Sequence, residues 1–343
     1  MEKQLPSGAG QSLDRFCRQY LQVQTDLDYP AAQYLRDDAF QQALCARLAN
    51  EGAIAVQHPP PRRYQARVLK ELVKRIEQSI QNWEDEGVSD DLVNYLASLL
   101  ASSLPSEATS AQQKAHVTYT LSYLSNFAES TPTITLLESQ SIIAGSGTTG
   151  LRTWDAALHL GNYLCNTKGL VEGKSILELG AGTGWLSILC AKHLHASYVL
   201  ATDGSEDVVE SLETNIYLNG LRETAISARD LKWGQALVGA EQAEWNRGRK
   251  IDLVLGADLA YYESGIPALV ATIMDLSELF PDVKIIISAI VRNPKTFESF
   301  VEKCRNNGYI IEELGFEIME PALQQGPFYS DQVPIKLCHI MKR

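Results

Sequence analysis

The chain has 343 residues, 45% of them hydrophobic, which is long enough for two globular domains with buried cores. Its 30 Lys and Arg residues stand against 42 Asp and Glu residues, which gives a formal net charge of −12. A protein that neutralises many phosphates is normally basic, so this balance argues against a nucleic-acid substrate and favours a basic, lysine-bearing partner.

Neither a targeting segment nor a metal site is indicated by the sequence. The amino terminus lacks the apolar region of a signal peptide and no apolar run could span a bilayer, so we expect a soluble, cytoplasmic protein without a membrane partner. The six cysteines form no C-x-x-C pair, and we interpret them as buried reduced thiols rather than nucleophiles. His193 and His195 do not share a helical face, as metal ligands would. We expect no metal and, by default, a monomer.

The first third of the chain has helical periodicity, from residue 12 to about residue 127. A break at Pro59-Pro60-Pro61 precedes the longest stripe, and Ser89 is placed to cap the last one. The apolar stripes occupy residues 13–21, 68–83 and 92–100. We interpret them as the core of a helical N-terminal domain over residues 1–128, with a partner-binding groove as the alternative.

From about residue 132, short β-branched runs alternate with helical segments, which is typical of a parallel sheet covered on both faces. The predicted strands are 175–179, 198–202, 225–228, 251–256 and 284–290, followed by 309–316 and 335–341. The last two runs lack a clear helix between them and are expected to close the sheet as an antiparallel pair. The predicted fold class is therefore α/β, with a doubly wound seven-stranded sheet of the methyltransferase type, last strand antiparallel, over residues 129–343.

A glycine-rich loop follows the first of these strands, in the segment S-I-L-E-L-G-A-G-T-G at residues 175–184. Gly180, Gly182 and Gly184 allow a sharp turn and a close approach of the backbone to a ligand. A dinucleotide site would have G-x-G-x-x-G facing a pyrophosphate, whereas here the third glycine comes one residue early. An anionic Glu178 would repel phosphate and attract the amino group or sulfonium of S-adenosyl-L-methionine. The pattern favours this methyl donor over NAD.

The next two strands also end in polar or aromatic residues. Asp203 lies some twenty residues beyond the glycine loop, the usual position of a carboxylate that binds both ribose hydroxyls, although it could instead cap the next helix. After the third strand comes R-D-L-K-W, in which Trp233 is either the residue that stacks on adenine or an ordinary core tryptophan. Asp230 could contact the adenine amino group, and helix capping is an equally good interpretation.

The fourth strand delivers D-L-A-Y, from Asp258 to Tyr261, beside the expected position of the donor methyl group. We expect Asp258 to accept an N–H of the acceptor amine and to position it, rather than to act as a strong general base. Tyr261 would supply an aromatic wall and a hydroxyl group. The alternative is that Asp258 only caps a helix.

Two motifs carry a family resemblance. Asp258 to Tyr261 resembles the D/E-x-x-Y/F motif of the seven-strand protein lysine methyltransferases. The segment G-T-T-G-L-R-T-W-D-A-A-L at residues 147–158, preceded by Leu137-Glu138, resembles the lead-in of the elongation factor 2 lysine methyltransferases. The resemblance covers about residues 130–343, whereas the helical first third agrees only in length and character.

The resemblance implies transfer of a methyl group from S-adenosyl-L-methionine to a lysine of translation elongation factor 2, with Asp258 and Tyr261 on the acceptor side. The residues that it implies around the donor are Trp154, Gly180, Ala181, Gly182, Asp203, Trp233 and Ala257. The helical domain would then dock the acceptor protein. Two alternatives are a small-molecule methyltransferase whose N-terminal helices form a lid, and a donor-binding scaffold that regulates translation without catalysis.

Overall fold

The computed structural model describes residues 8–101, 106, 113–127, 131–139, 149–237, 245–246 and 248–343. Gly147 and Thr148 of the lead-in motif lie outside these ranges. The chain divides into two compact units, the first formed by residues 1–122, 137–141 and 325–328 and the second by the remaining residues. The predicted boundary after residue 128 lies beyond the end of the first segment, and the two short later segments of this unit were not predicted.

Helices dominate the first unit. They are α1 (Ala9–Leu21), α2 (Ala32–Leu35), α3 (Asp38–Leu48), α4 (Ile54–Gln57), α5 (Arg62–Ser79) and α6 (Asp90–Ala101). Each predicted stripe contributes fully buried side chains to one apolar cluster, including Phe16, Leu72 and Leu92. Asp37 caps α3, because its carboxylate accepts a hydrogen bond from the backbone N–H of Phe40 at 2.9 Å.

Two details of the predicted helical region are wrong. Helix α5 ends at Ser79 and the chain is extended at Ile80, so Trp83 is not part of the stripe and is 65% exposed. Residues 114–120 form a strand, β1 (Lys114–Thr120), which pairs with β2 (Thr133–Ser139) in a two-stranded sheet. The alternating sequence K-A-H-V-T-Y-T has the period of a strand, and this signal overrides the helical assignment.

The second unit contains the seven-stranded sheet, which confirms the predicted fold class. Its strands are β3 (Ser175–Leu179), β4 (Tyr198–Asp203), β5 (Ile226–Asp230), β6 (Leu253–Ala257), β7 (Lys284–Ile290), β8 (Tyr309–Leu314) and β9 (Ile335–Lys342). The strand order is β5-β4-β3-β6-β7-β9-β8, and β9 is antiparallel to both of its neighbours. Strands β3, β6 and β7 are nearly continuous apolar runs because a parallel sheet is buried on both faces.

Crossover helices connect the parallel strands. They are α8 (Trp185–Lys192), α9 (Glu206–Leu218), α10 (Ile266–Leu279) and α11 (Pro294–Asn306), whereas α7 (Asp155–Asn166) precedes β3. Proline near the start of α10 and α11 suits the first helical turn, where no N–H partner is needed. The chain proceeds from β3 toward one edge of the sheet and from β6 toward the other, so the order reverses between these adjacent strands. Ligands bind at such a switch point, outside the carboxyl ends of the strands.

Within the described ranges, no helix has both the length and the hydropathy that crossing a bilayer requires. All six cysteines are free thiols, and Cys165 alone among them is not fully buried. Burial raises the pKa of the Cys17 and Cys304 thiols to about 12, so the nucleophilic thiolate is disfavoured there.

Candidate active site

A cavity of about 630 Å³ opens at the carboxyl ends of β3, β4 and β6, at the switch point of the sheet. The structure brings all the site residues predicted from the sequence to the wall of this cavity: Trp154, Glu178, Gly180, Ala181, Gly182, Asp203, Trp233, Ala257, Asp258 and Tyr261. Their roles in binding and catalysis stay a prediction. Asp230, by contrast, is not part of the wall, and its carboxylate is exposed 3.9 Å from Nζ of Lys232.

The glycine loop has the backbone conformation that its sequence predicts. The φ angles of Gly180 and Gly182 are +60° and +56°, in the left-handed region that disfavours a side chain. A Cβ at Gly180 would lie 2.7 Å from Cδ2 of Leu259, and one at Gly182 would lie 3.1 Å from the backbone oxygen of Gly150. The left-handed φ favours glycine at both positions, and a Cβ there would also crowd Leu259 or the backbone of Gly150.

Glu178 lies on the floor of the cavity and is only 2% exposed. Its carboxyl group accepts a hydrogen bond from the Ser187 hydroxyl at the start of α8. Burial raises the pKa of Glu178 to about 8, and the nearby Asp203 acts in the same direction, while the bond from Ser187 opposes the shift. Much of Glu178 is therefore neutral at neutral pH. The interpretation of the sequence, by contrast, treated this residue as negatively charged.

Asp203 joins the glycine loop to the next strand. Its Oδ2 accepts a hydrogen bond from the N–H of Gly182, and its Oδ1 accepts one from the N–H of Ser205, both at 3.2 Å. Burial raises the pKa of this carboxyl group, whereas the backbone amides lower it. Ser205, not Asp203, is the N-cap residue of α9. The carboxylate is thus held at the tip of β4 with lone pairs left for further donors.

Two tryptophans face the cavity from opposite segments. Trp233 is half-buried and packs against the hydrophobic core of the sheet while it lines the cavity, and its role in stacking on adenine stays a prediction. Trp154 is the N-cap residue of α7, and its indole N–H donates to the backbone oxygen of Thr149 at 3.2 Å. The guanidinium of Arg292 lies 5.0 Å from the centre of the Trp154 ring, at cation–π distance.

Asp258 has a strained backbone, with φ at +57°, and is only 8% exposed. Its N–H donates to the oxygen of Ser288 at 2.7 Å, which holds the residue between the ends of β6 and β7. Oδ1 accepts from the N–H of Ile290 at 3.2 Å, and Oδ2 forms an ion pair with Arg292 at 2.8 Å. Asp258 precedes the short 3₁₀ turn Glu263–Gly265, whose N-cap residue is Tyr262, so the alternative of a helix-capping Asp258 is not what the structure shows.

The part of the cavity that is predicted to receive the acceptor includes residues that the sequence did not indicate. Tyr261 and Tyr262 stand at the opening, 53% and 41% exposed, with ring centres 4.7 Å apart. Partial burial raises the pKa of Tyr261, so its hydroxyl stays protonated. Tyr262 and Arg292 were not predicted. Arg292 follows the end of β7, next to β6 in the sheet, and the rule that sites gather at carboxyl ends of parallel strands could have indicated it.

A second cavity of about 230 Å³ adjoins the first, and Trp154 and Arg292 line both. Asp155 faces only the second, and burial raises the pKa of its carboxyl group, while Arg152 and Arg292 act in the opposite direction.

Among the described residues, no cluster of His, Cys, Asp or Glu is arranged to hold a metal ion.

The sheet is parallel except at β9, which is antiparallel to its neighbours. Strand β3 carries Glu178 and leads into the glycine loop, and β4 ends at the carboxylate of Asp203. These features together define a seven-strand methyltransferase. A profile described as lysine methyltransferase matches residues 134–307. The chain is 50% identical to protein-lysine N-methyltransferase EFM3 of Chaetomium thermophilum, covering 96% of this chain and 97% of that one. It is 28% identical to protein-lysine N-methyltransferase EEF2KMT of Homo sapiens, covering 86% and 88%.

The chain therefore belongs to the lysine methyltransferase family. It is a protein-lysine N-methyltransferase, and its substrate is a protein.

Proposed function

We propose that this enzyme transfers a methyl group from S-adenosyl-L-methionine to the ε-amine of a lysine in translation elongation factor 2. The proposal rests on one observation: the residues expected to bind the donor and those expected to face the acceptor line the same cavity. Glu178, the glycine loop and Asp203 lie at the tips of β3 and β4, and Asp258 and Tyr261 lie after β6. The proposal extends to a cytoplasmic location, where translation takes place.

The residues on the donor side fit a cationic nucleoside. Gly180 and Gly182 leave space where a Cβ would intrude, and the buried Glu178 becomes a better hydrogen-bond acceptor when a cationic group approaches and lowers its pKa. Asp203 is held by backbone N–H groups, and its carboxylate can accept a further hydrogen bond from a ribose hydroxyl. Trp233, half-buried, offers a ring face for adenine. When bound, the donor supplies an electrophilic methyl group on a sulfonium.

On the acceptor side, the residues of this chain orient an amine and exclude water. Asp258 is almost fully buried at the end of β6, and its carboxylate accepts hydrogen bonds, so it can fix an N–H of the incoming amine. The rings of Tyr261 and Tyr262 form an exposed aromatic rim through which a long, narrow lysine side chain can enter. Such alignment converts an encounter into a near-attack geometry, which is where much of the rate enhancement originates.

Elongation factor 2 is proposed as the acceptor because of the sequence resemblance to its lysine methyltransferases and the similarity to EEF2KMT. The acidic charge of −12 suits a basic docking surface on the partner. An exposed aromatic opening favours a macromolecular acceptor over a small molecule enclosed beneath a lid.

The test is incubation of elongation factor 2, purified from cells that lack the enzyme, with radiolabelled donor and the purified enzyme, followed by mass spectrometry of its peptides. We expect label on one lysine with the wild-type enzyme and at least a hundredfold less with Asp258→Asn. Asp230→Asn, which changes an exposed carboxylate outside the cavity, is the matched control and should be fully active. Label that appears only in the low-mass fraction of a cell extract would instead support a small-molecule acceptor.

A further inference from the structure

The carboxylate of Asp258 is held by a positive charge that no motif predicted. Asp258 is 8% exposed, and Nη1 of Arg292 lies 2.8 Å from its Oδ2, whereas the Arg292 side chain is 43% exposed. Oδ1 bonds to the N–H of Ile290 at 3.2 Å, so each carboxylate oxygen has one partner and retains a lone pair. The carboxylate can therefore accept a further N–H without releasing Arg292.

The position of the guanidinium is defined from a second side. It lies 5.0 Å from the centre of the Trp154 ring, and both residues belong to the wall shared by the two cavities. Cation–π contact and a charged hydrogen bond together hold the planar group in place. Arg292 is thus a fixed component of the acceptor side rather than a surface side chain that happens to reach an acid.

Resting on the proposed function, we propose that Arg292 is a positioning residue that balances the charge of Asp258 and so keeps the acceptor amine uncharged. A lysine amine attacks through its lone pair, which only the neutral form has. A lone carboxylate beside the amine would stabilise the ammonium form and raise the pKa of the acceptor, whereas a cation beside it lowers that pKa. With the ion pair intact, the carboxylate orients the amine with little net charge.

The wider charge pattern agrees with this balance. Beside Trp154, the carboxyl groups of Asp155 and Asp258 face the guanidinium groups of Arg152 and Arg292. The other charged or titratable residues that line the two cavities are Glu178, Asp203, Lys232, Tyr261 and Tyr262. The proton that the lysine ammonium loses on entry passes to bulk water.

The experiment measures the pH dependence of methyl transfer from labelled donor to the proteins of an extract from cells that lack the enzyme. Enzyme is in excess over acceptor, with saturating donor, between pH 6.5 and 9.5. The rate should rise with pH, because the acceptor amine reacts only in its neutral form. For Arg292→Met we expect this rising limb to lie about one pH unit higher. The rate at pH 7 should then be approximately tenfold lower and should recover at high pH. Arg292→Lys, which keeps the charge, should restore most of the wild-type profile.

Two controls separate charge balance from a merely structural effect. Lys295→Met removes an exposed positive charge at the start of α11 and should leave the profile unchanged. The double variant Asp258→Asn, Arg292→Met lacks both charges. The pH at which its methyl-transfer rate rises should therefore return toward the wild-type value, although the rate itself is low.

A loss for Arg292→Met by the same factor at every pH, or a rate that rises at pH 7, would overturn the proposal. The identity of the labelled band is a separate result. If the wild-type enzyme labels a protein other than elongation factor 2, the proposed acceptor is wrong, and the pH profiles measured on that band still decide the role of Arg292. Absence of any protein label would overturn both.

Discussion

The backbone N–H of Gly182 donates to Oδ2 of Asp203 at 3.2 Å, and this bond ties the glycine loop after β3 to the end of β4. The carboxylate thereby performs two tasks, because it positions the loop and presents its remaining lone pairs to the cavity. Neighbouring parallel strands make this possible, since Leu179 is in register with Thr202, one residue before Asp203.

Replacing Asp203 by Asn should weaken donor binding by about 10- to 100-fold, because hydrogen bonds to a charged group contribute roughly 1.5–3 kcal/mol. Isothermal titration calorimetry with the donor measures the change. Asp230→Asn, at the paired position of β5 but exposed, is the control. An unchanged affinity for Asp203→Asn would contradict a ribose-binding role.

Gly180→Ala should impair both folding stability and donor binding. A left-handed alanine costs roughly 1–2 kcal/mol, and the added Cβ would also lie 2.7 Å from Cδ2 of Leu259. Gly220→Ala is a matched control, because Gly220 has φ at +70° with no atom within 4 Å of the added Cβ. Denaturant unfolding should show a loss for both variants, and calorimetry a loss of donor affinity for Gly180→Ala only. Equal donor affinity in the two would show that crowding at Gly180 is unimportant.

Binding of the donor should release a proton from Glu178. Burial raises the pKa of this carboxyl group to about 8, and a cationic ligand lowers it again. Calorimetry at pH 7 in buffers of different ionisation enthalpy should therefore detect proton release by the wild type and none by Glu178→Gln. Ser187→Ala removes a bond that favours the ionised form, so it should move the release to higher pH. A heat of binding that is independent of the buffer in all three proteins would argue against this coupling.

The same shift makes the ligand-free protein less stable as the pH rises. The folded-state pKa of Glu178 lies above that of the unfolded chain, so the folded state holds more protons between about pH 4.5 and pH 8. Stability is therefore lost across this window as pH increases, and Glu178→Gln should flatten the loss. Urea unfolding at pH 6 and pH 8 measures the change in the free energy of unfolding. If Glu178→Gln lost as much stability between these pH values as the wild type, Glu178 would not be the cause of the loss.

His159 should make the protein acid-labile. It is fully buried, between the Tyr329 hydroxyl and the backbone oxygen of Phe316 at 3.1 Å each, and burial lowers its pKa to about 4. Between about pH 4 and pH 6.5, the unfolded chain binds a proton at this histidine that the folded protein does not. The free energy of unfolding therefore falls as the pH is lowered through this range, by up to about 1.4 kcal/mol for each pH unit. His159→Gln should reduce that slope, whereas the exposed His195→Asn should keep it; thermal unfolding across this range tests the difference.

Much of the fold was predictable because its signals are local. The runs at 175–179 and 284–290 coincide with β3 and β7, since continuous apolar, β-branched segments bounded by turns are typical of buried parallel strands. The strand β1 was missed because its seven residues were assigned to a surrounding helical region. Trp83 was misplaced because periodicity alone does not locate the end of a helix.

The candidate site was predictable where strand ends define it. Asp203 and Asp258 follow strands whose carboxyl ends meet at one edge of the sheet, so their approach to a common cavity follows from topology. Arg292 was not found, because an arginine after a strand has no distinctive neighbours in sequence. Its pairing with Asp258 depends on the left-handed backbone at that residue and on the register between β6 and β7.

The sequence by itself determined the class of sheet, the conformation of the glycine loop and the set of residues at the strand ends, because backbone preferences and hydrophobic periodicity act over short distances along the chain. Only the tertiary structure decided the charge state of this site. The raised pKa of Glu178 and the ion pair between Asp258 and Arg292 arise from burial and from side chains brought together across strands, and both effects depend on distances in space that no local pattern encodes.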